Sequence, residues 1–69
     1  MADSLYKVIE LVGTSKVSWE KAAESAIKVA SKSLRDLRVA EVVEMDASIK
    51  DGKIESYRTK LKVSFKFKK

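Results

Sequence analysis

The chain contains no cysteine and no histidine, and each absence removes a class of chemistry. Without cysteine there is no disulfide and no thiolate metal site, and without histidine there is neither an imidazole ligand nor the usual general base. The 69 residues predict a single domain over 1–69 with a thin core, because chains of this size bury only about 60% of their unfolded surface. Self-association is the stabiliser that remains, and a hydrophobic fraction of 45% favours it.

Long apolar runs and a secretory leader are also absent from the sequence. No stretch approaches the length of a membrane span, and Met1–Ser4 lacks the basic and then apolar order of a signal peptide. These features predict a soluble, cytoplasmic protein with no membrane partner. No nucleophile stands out together with a general base, so we expect a protein that is not an enzyme.

One stretch, from Ser18 to Leu37, is predicted to be a helix. Its apolar residues recur every three or four positions and form one face about 100° wide. These residues are Trp19, Ala23, Ala26, Ile27, Ala30, Leu34 and Leu37. Ser18 is a good N-cap, and Arg35 and Arg38 near the C-terminal end suit the helix dipole. We interpret Trp19 as part of this packing surface rather than of a cofactor-binding face.

The rest of the chain is predicted to form three strands, in the order β-α-β-β. The three stretches are Leu5–Val12, Arg38–Lys50 and Lys53–Phe67. The first is apolar on both sides and is ended by Gly13–Ser15, and a single helix can cover only one of those sides. Asp51-Gly52 predicts a type I′ hairpin turn between the other two.

The last strand alternates most regularly, and it is long enough to require a bend, a bulge or an extension beyond its own subunit. The pattern as a whole therefore predicts an α+β fold, in which a three-stranded antiparallel sheet curls over one helix. The second apolar side of the first strand is predicted to be an intersubunit contact.

Several segments, in order along nearly the whole chain, resemble the dodecin family. They are Tyr6–Ser15, Ser18-Trp19-Glu20 with Ala22 and Ala26, Glu41–Glu44, Asp51–Lys53 and Leu61–Phe65. This resemblance implies a β-α-β-β subunit that assembles with itself into a hollow homododecamer. Many dodecins bind flavins in pairs at sites between subunits, so the resemblance also raises the question of a flavin site.

Two positions depart from the flavin-binding dodecins. Those members carry a tryptophan that stacks on the isoalloxazine ring where this chain has Val39, and valine lacks the aromatic plane that stacking needs. They carry a glutamine that hydrogen-bonds the ring edge where this chain has Arg58, whose guanidinium offers no acceptor. The resemblance therefore implies a degraded flavin site and argues against flavin as a cofactor. A flavin-storing dodecin with altered stacking is the alternative.

The chain looks most like the calcium dodecin branch of the family, because it combines Val39-Ala40 with Asp46, Tyr57-Arg58 and the ending Val63–Lys66. That branch implies calcium as a possible ligand, at subunit interfaces of a shell that sequesters it or another small molecule.

Glu44, Asp46 and Ser48 lie two residues apart and so project from one side of their strand. Calcium takes about six to eight oxygen ligands, so Glu44 and Asp46 could form a metal site with a symmetry-related carboxylate. The alternative is that they are solvated or pair with basic side chains of the neighbouring strand. Those side chains are Arg58, Lys60 and Lys62.

The basic residues near the end of the chain suggest a function of another class, nucleic-acid binding by a basic oligomer. They are Arg58, Lys60, Lys62, Lys66, Lys68 and Lys69, in a chain of net charge +5. No exposed aromatic side chains alternate with them, since Tyr57, Phe65 and Phe67 point to the opposite side. Lysines on a long strand also prevent edge pairing, and this role argues against nucleic acid as a partner.

Overall fold

The computed structural model describes residues 5–67, which form three antiparallel strands and one helix. Along the chain these are β1 (Tyr6–Ser15), α1 (Trp19–Ser33), β2 (Leu37–Lys50) and β3 (Lys53–Lys66). The strand order in the sheet is β1-β3-β2, so β3 is central and the other two strands are edges. The predicted α+β fold is confirmed. Within residues 5–67, no helix combines the length and the apolarity that a membrane span requires.

The turn between β2 and β3 is the predicted hairpin. Asp51 and Gly52 have φ values of 53° and 74°, and a type I′ turn needs positive φ at both positions. β1 pairs with β3 only as far as Tyr57, so residues 48–56 project beyond β1 as a two-stranded extension, the hairpin arm. The arm makes the subunit elongated, with dimensions of 56 × 20 × 14 Å.

Three register shifts interrupt the pairing of β2 with β3. Each places one extra residue in one strand: Arg38 and Val43 in β2, and Glu55 in β3. The shift at Glu55 confirms the predicted irregularity in the last strand. The shift at Val43 reverses the alternation of β2, so Val39 and Glu41 share a face with Glu44 and Asp46. Uninterrupted alternation along β2 would place the two pairs on opposite faces.

α1 packs on β1 and β3, and the face of the sheet beneath it is here called the covered face. The side chain of Ser18 accepts the N–H of Lys21 at 3.0 Å, which confirms the predicted N-cap. The residues that α1 and β3 bury almost completely are Ala22, Thr59, Leu61 and Val63. Ala22 lies outside the predicted apolar face, most of whose members are only partly buried.

The helix approaches β1 so closely that only glycine fits at position 13. A Cβ atom on Gly13 would overlap the carbonyl oxygen of Ala22 and lie 3.0 Å from the Cβ of Ala26. β1 accordingly continues through Gly13 to Ser15, and the predicted end of the strand at Val12 is wrong. The chain turns just afterwards, where the Ser15 hydroxyl accepts the N–H of Val17 at 3.0 Å.

The helix is shorter than its apolar spacing predicts. It ends at Ser33, and the extended C-cap Leu34 donates its backbone N–H to the carbonyl of Ala30 at 2.9 Å. Leu37 begins β2 and pairs with Phe65 instead of continuing the helix. Leucine is a good helix former, so the pairing with β3 overrides its local preference.

Candidate functional site

Opposite the covered face, each of the three strands contributes one row of side chains, and the rows of β2 and β3 carry most of the charges; we call this side the open face. The register of the strands assigns its members. They are Tyr6, Val8, Glu10, Val12 and Thr14 in β1, Ser56, Arg58, Lys60, Lys62, Ser64 and Lys66 in β3, and Val39, Glu41, Glu44, Asp46 and Ser48 in β2. Lys62 lies between Glu10 of β1 and Glu41 of β2, while Lys60 and Arg58 are opposite acidic residues of β2 alone.

Asp46 and Arg58 form the best-aligned ion pair on the open face. Arg58 Nε donates to Asp46 Oδ1 at 2.7 Å, and Arg58 Nη2 donates to Asp46 Oδ2 at 3.0 Å. Such a two-bond arrangement matches the planar guanidinium to both carboxylate oxygens. These hydrogen bonds lower the pKa of Asp46, and the same carboxylate raises the pKa of Arg58. For this pair, the predicted cross-strand ion pair is confirmed.

Glu44 lies beside Asp46 in the same row and opposite Lys60. Lys60 turns the other way, and its Nζ lies 3.9 Å from Glu10 Oε1 on β1. Within the part of the chain that the structure describes, the Glu44 side chain therefore makes no hydrogen bond. Glu44 and Asp46 line a shallow hollow of about 130 Å³, together with Val12, Arg58 and Lys60.

Oxygen atoms continue along the same rows towards the hairpin arm. The hydroxyls of Ser48 and Ser56 lie 2.7 Å apart and share a hydrogen bond. Even so, no group of three or more acidic side chains converges on one point in residues 5–67. Because calcium requires about six to eight oxygens, Glu44 and Asp46 make only part of a cation site in one subunit.

The two positions that correspond to the flavin site, Val39 and Arg58, both lie on the open face. Val39 is opposite Ser64, near the start of β2, and its side chain is 62% exposed. Arg58 is opposite Asp46, and the β3 backbone between Ser64 and Arg58 spans about 20 Å at about 3.3 Å per residue. One subunit therefore does not bring Val39 and Arg58 together.

Trp19 connects the helix to the residue at the centre of this site. Its Nε1 donates to the backbone carbonyl of Asp46 at 2.9 Å, and its ring meets Tyr57 edge-on with centroids 4.8 Å apart. Thr59 Oγ1 donates to the backbone carbonyl of Trp19 at 2.9 Å. The ring thus packs against the sheet at Tyr57, although 38% of Trp19 stays exposed, and the bond to Asp46 was not predicted. The sequence gives one signal for this bond: the indole N–H of a packed tryptophan needs a hydrogen-bond acceptor.

The basic row of β3 is not a continuous positive surface. Lys62 lies between Glu10 and Glu41, and Arg58 and Lys60 each pair with an acidic side chain. Lys68 and Lys69, which the sequence adds to this row, lie outside the described residues. The positive charge predicted for this face is therefore largely balanced by carboxylates within the same subunit.

Comparison with known proteins agrees with the order and pairing of these elements. A family model described as Dodecin matches residues 5–68. The chain belongs to the dodecin family. A curated dodecin, the calcium dodecin of Mycobacterium tuberculosis, is 48% identical over 65 residues, which cover 94% of this chain and 92% of the relative.

Solved dodecin structures share the fold over nearly the whole chain. The crystal structure of the calcium-chelating immunodominant antigen of M. tuberculosis, a calcium dodecin with a novel calcium-binding site, superposes with a TM-score of 0.84 at 52% identity. The match covers 94% of this chain and 93% of that one. Dodecin from Streptomyces coelicolor gives a TM-score of 0.95 at 33% identity, with 100% and 99% coverage.

Proposed function

We propose that this dodecin is the subunit of a non-enzymatic homododecameric shell that binds or sequesters calcium, or another small ligand, at subunit interfaces. The observation that carries the proposal is the apolar surface that the subunit leaves uncovered. Large hydrophobic side chains that are at least half exposed include Val8, Val12, Val39, Val42, Ile49 and Ile54. Exposed apolar surface on this scale marks protein–protein contacts.

The hairpin arm supports the assembly most directly. Ile49 and Ile54 face each other across the arm with 71% and 53% of their surfaces exposed. Alternation along β2 places Ile49 on the same side as Ala47, so the arm continues the covered face beyond the reach of α1. A neighbouring subunit of the same kind would supply the cover that α1 does not.

Calcium is supported by the pair Glu44 and Asp46 and by the similarity to calcium dodecin. The two carboxylates share a face, and the neighbouring Ser48 hydroxyl adds an oxygen at the next position of the row. A second subunit, backbone carbonyls and water would supply the remaining ligands. An interface site of this kind is complete only in the assembly.

A degraded flavin site is supported by the same geometry. Val39 offers no ring to stack on, and Arg58 already directs two of its donors to Asp46. The carboxylates around the basic row likewise argue against nucleic-acid binding, because phosphate contacts need free cationic groups.

The proposal is tested by native mass spectrometry and calorimetry of the purified protein, with and without calcium. We expect a mass of twelve subunits that carries calcium and no flavin. Glu44→Gln and Asp46→Asn should each weaken calcium binding about tenfold, because each removes a charged oxygen ligand. Glu24→Gln, at an exposed carboxylate of α1, is the matched control and should leave the affinity unchanged. A monomeric mass, or equal affinities for all three variants, would overturn the proposal.

Flavin binding is tested separately by titrating the protein into riboflavin and following the flavin fluorescence. We expect little quenching, since the open face offers no aromatic ring at Val39. The matched variant Val39→Trp restores a stacking surface at that position and should quench more strongly. Strong quenching by the unmodified protein at micromolar concentration would instead favour the flavin-storing alternative.

A further inference from the structure

Of the two carboxylates in the proposed calcium site, Asp46 already binds a cationic side chain. Each of its two oxygens accepts a hydrogen bond from Arg58. Arg58 Nε and Nη2 bond to Oδ1 and Oδ2 respectively, at 2.7 and 3.0 Å. A calcium ion at the same carboxylate would stand within a few ångströms of the guanidinium. Two cations at that distance repel each other, so the metal and Arg58 compete for Asp46.

The backbone of Asp46 is fixed independently of this ion pair. Its carbonyl accepts the indole N–H of Trp19 at 2.9 Å, and its strand pairs with β3, where Asp46 lies opposite Arg58. An exchange of partners at the carboxylate therefore needs only side-chain rotation. Both side chains have room to rotate once their hydrogen bonds break, because about half of each is exposed to solvent.

Glu44 differs from Asp46 in this respect, although the two are adjacent in the same row. Lys60, the cation opposite Glu44, is directed to Glu10 on the other edge strand. Among the described residues, no cation donates a hydrogen bond to Glu44 as Arg58 does to Asp46, although the charge of Glu44 also acts on Arg58. A metal can approach Glu44 first, but it gains Asp46 as a ligand only when Arg58 withdraws.

We propose that Arg58 is an internal counter-cation which occupies Asp46 in the absence of metal and thereby lowers the calcium affinity of the site. The inference rests on the proposed calcium function and adds the residue that regulates it. Arg58 is thus a positioning residue for the apo state and not a metal ligand, since a guanidinium has no lone pair to offer.

The test is calcium calorimetry on the assembled protein, at one ionic strength, for Arg58→Gln, Arg58→Lys and the control Lys62→Gln. Arg58→Gln should bind calcium about five- to tenfold more tightly, the scale of a well-aligned, half-exposed ion pair. Arg58→Lys should show a smaller gain, because lysine keeps the charge but cannot make the two-bond contact. Lys62→Gln removes the same charge from the same face and should change the affinity less than twofold.

Each outcome of this experiment decides something different. If the unmodified protein binds calcium and Arg58→Gln binds it no more tightly, the competition is overturned and the proposed function stands. If Lys62→Gln gains as much as Arg58→Gln, only the general positive field matters, and the role of Arg58 is again overturned. If neither the unmodified protein nor Arg58→Gln binds calcium, the proposed calcium function fails together with the inference. If native mass spectrometry shows that Arg58→Gln does not assemble, the calcium affinity of Arg58→Lys is decisive. Tighter binding than in the unmodified protein supports the competition, and an unchanged affinity overturns it.

Discussion

The two faces of β3 differ in almost every physical property, although their residues alternate along one strand. On the covered face, Thr59, Leu61 and Val63 are at most 1% exposed, and the Thr59 hydroxyl is satisfied by the carbonyl of Trp19. On the open face, Arg58 and Lys60 remain accessible and pair with carboxylates of the two edge strands. The covered face therefore holds the subunit together, and the open face carries the charges that a ligand would meet.

The two-residue period of a strand makes this separation possible in a chain of 69 residues. A substitution on the covered face changes the folding of the subunit, and one on the open face changes its charge balance. The hairpin arm is a third region. Its apolar residues continue the covered face where no helix lies over them, so a substitution there is expected to change assembly. Substitutions in these three regions should change stability or assembly. We expect the change to be largest on the covered face, smaller in the arm and smallest on the open face.

The largest effect is expected from Gly13→Ala on the covered face. The added Cβ would overlap the carbonyl oxygen of Ala22, and a backbone atom inside a helix cannot rotate away. We expect a loss of about 3 kcal/mol or more in the free energy of unfolding, at the upper end of overpacking effects. Urea denaturation followed by circular dichroism, at fixed protein concentration, measures it.

Gly52→Ala is the control for the substitution at Gly13. Gly52 has a φ of 74°, but a Cβ atom there would meet nothing within 4 Å. The strain of a left-handed alanine costs about 1–2 kcal/mol. Equal losses at the two glycines would contradict the close packing of α1 on β1.

An intermediate effect, on assembly rather than on folding, is expected from Ile49→Lys in the hairpin arm. Ile49 is 71% exposed in the subunit, where such a substitution changes stability by only about 0.5 kcal/mol. If a neighbouring subunit covers the arm, a lysine there places a charge in an apolar contact and disrupts it. Native mass spectrometry should then show smaller species, while circular dichroism retains the helix and strand signals. The control Ile49→Val should keep the full mass, and an unchanged mass for Ile49→Lys would contradict the proposed contact.

The smallest expected effect is the pH dependence of stability that arises from the ion pair of Asp46 and Arg58 on the open face. Arg58 lowers the pKa of Asp46 in the folded state, so the pair stabilises the protein above the unfolded pKa of about 3.9. This contribution is lost as the pH falls through the folded pKa. The difference in free energy of unfolding between the unmodified protein and Asp46→Asn should therefore shrink towards zero in acid.

Carboxyl NMR of Asp46 measures the same property directly. Its pKa should lie below the ordinary value in the unmodified protein and should rise in Arg58→Gln, which removes the main cause of the shift. An Asp46 pKa that is the same in both proteins would show that the ion pair does not persist in solution.

Features that depend on a few neighbouring residues were predictable from the sequence. The Asp51-Gly52 turn requires positive φ, the cap at Ser18 requires a side-chain acceptor, and the alternation in β3 requires one buried face. Even the ion pair between Asp46 and Arg58 follows from two facing strands of opposite charge. Each of these conclusions uses only the local chain or the hairpin that the turn creates.

The errors concern residues for which two local patterns are both acceptable. Leu37 fits both the apolar face of a helix and the first position of a strand, and its pairing with Phe65 selects the strand. Gly13 suits both the end of a strand and a close contact, and the position of Ala22 selects the contact. The extra residue Val43 leaves no signal at all, because a bulge exists only relative to the partner strand.

By itself, the sequence determined the β-α-β-β order, the hairpin, the dodecin resemblance and the two alternating faces of β3, because all of these lie in local patterns of residue type. The tertiary structure alone decided which residues share a face in β2, where α1 ends, and that Trp19 bonds to the backbone of Asp46. These features depend on the register between strands and on the distance from helix to sheet. Both are set by packing between segments that are distant in the chain.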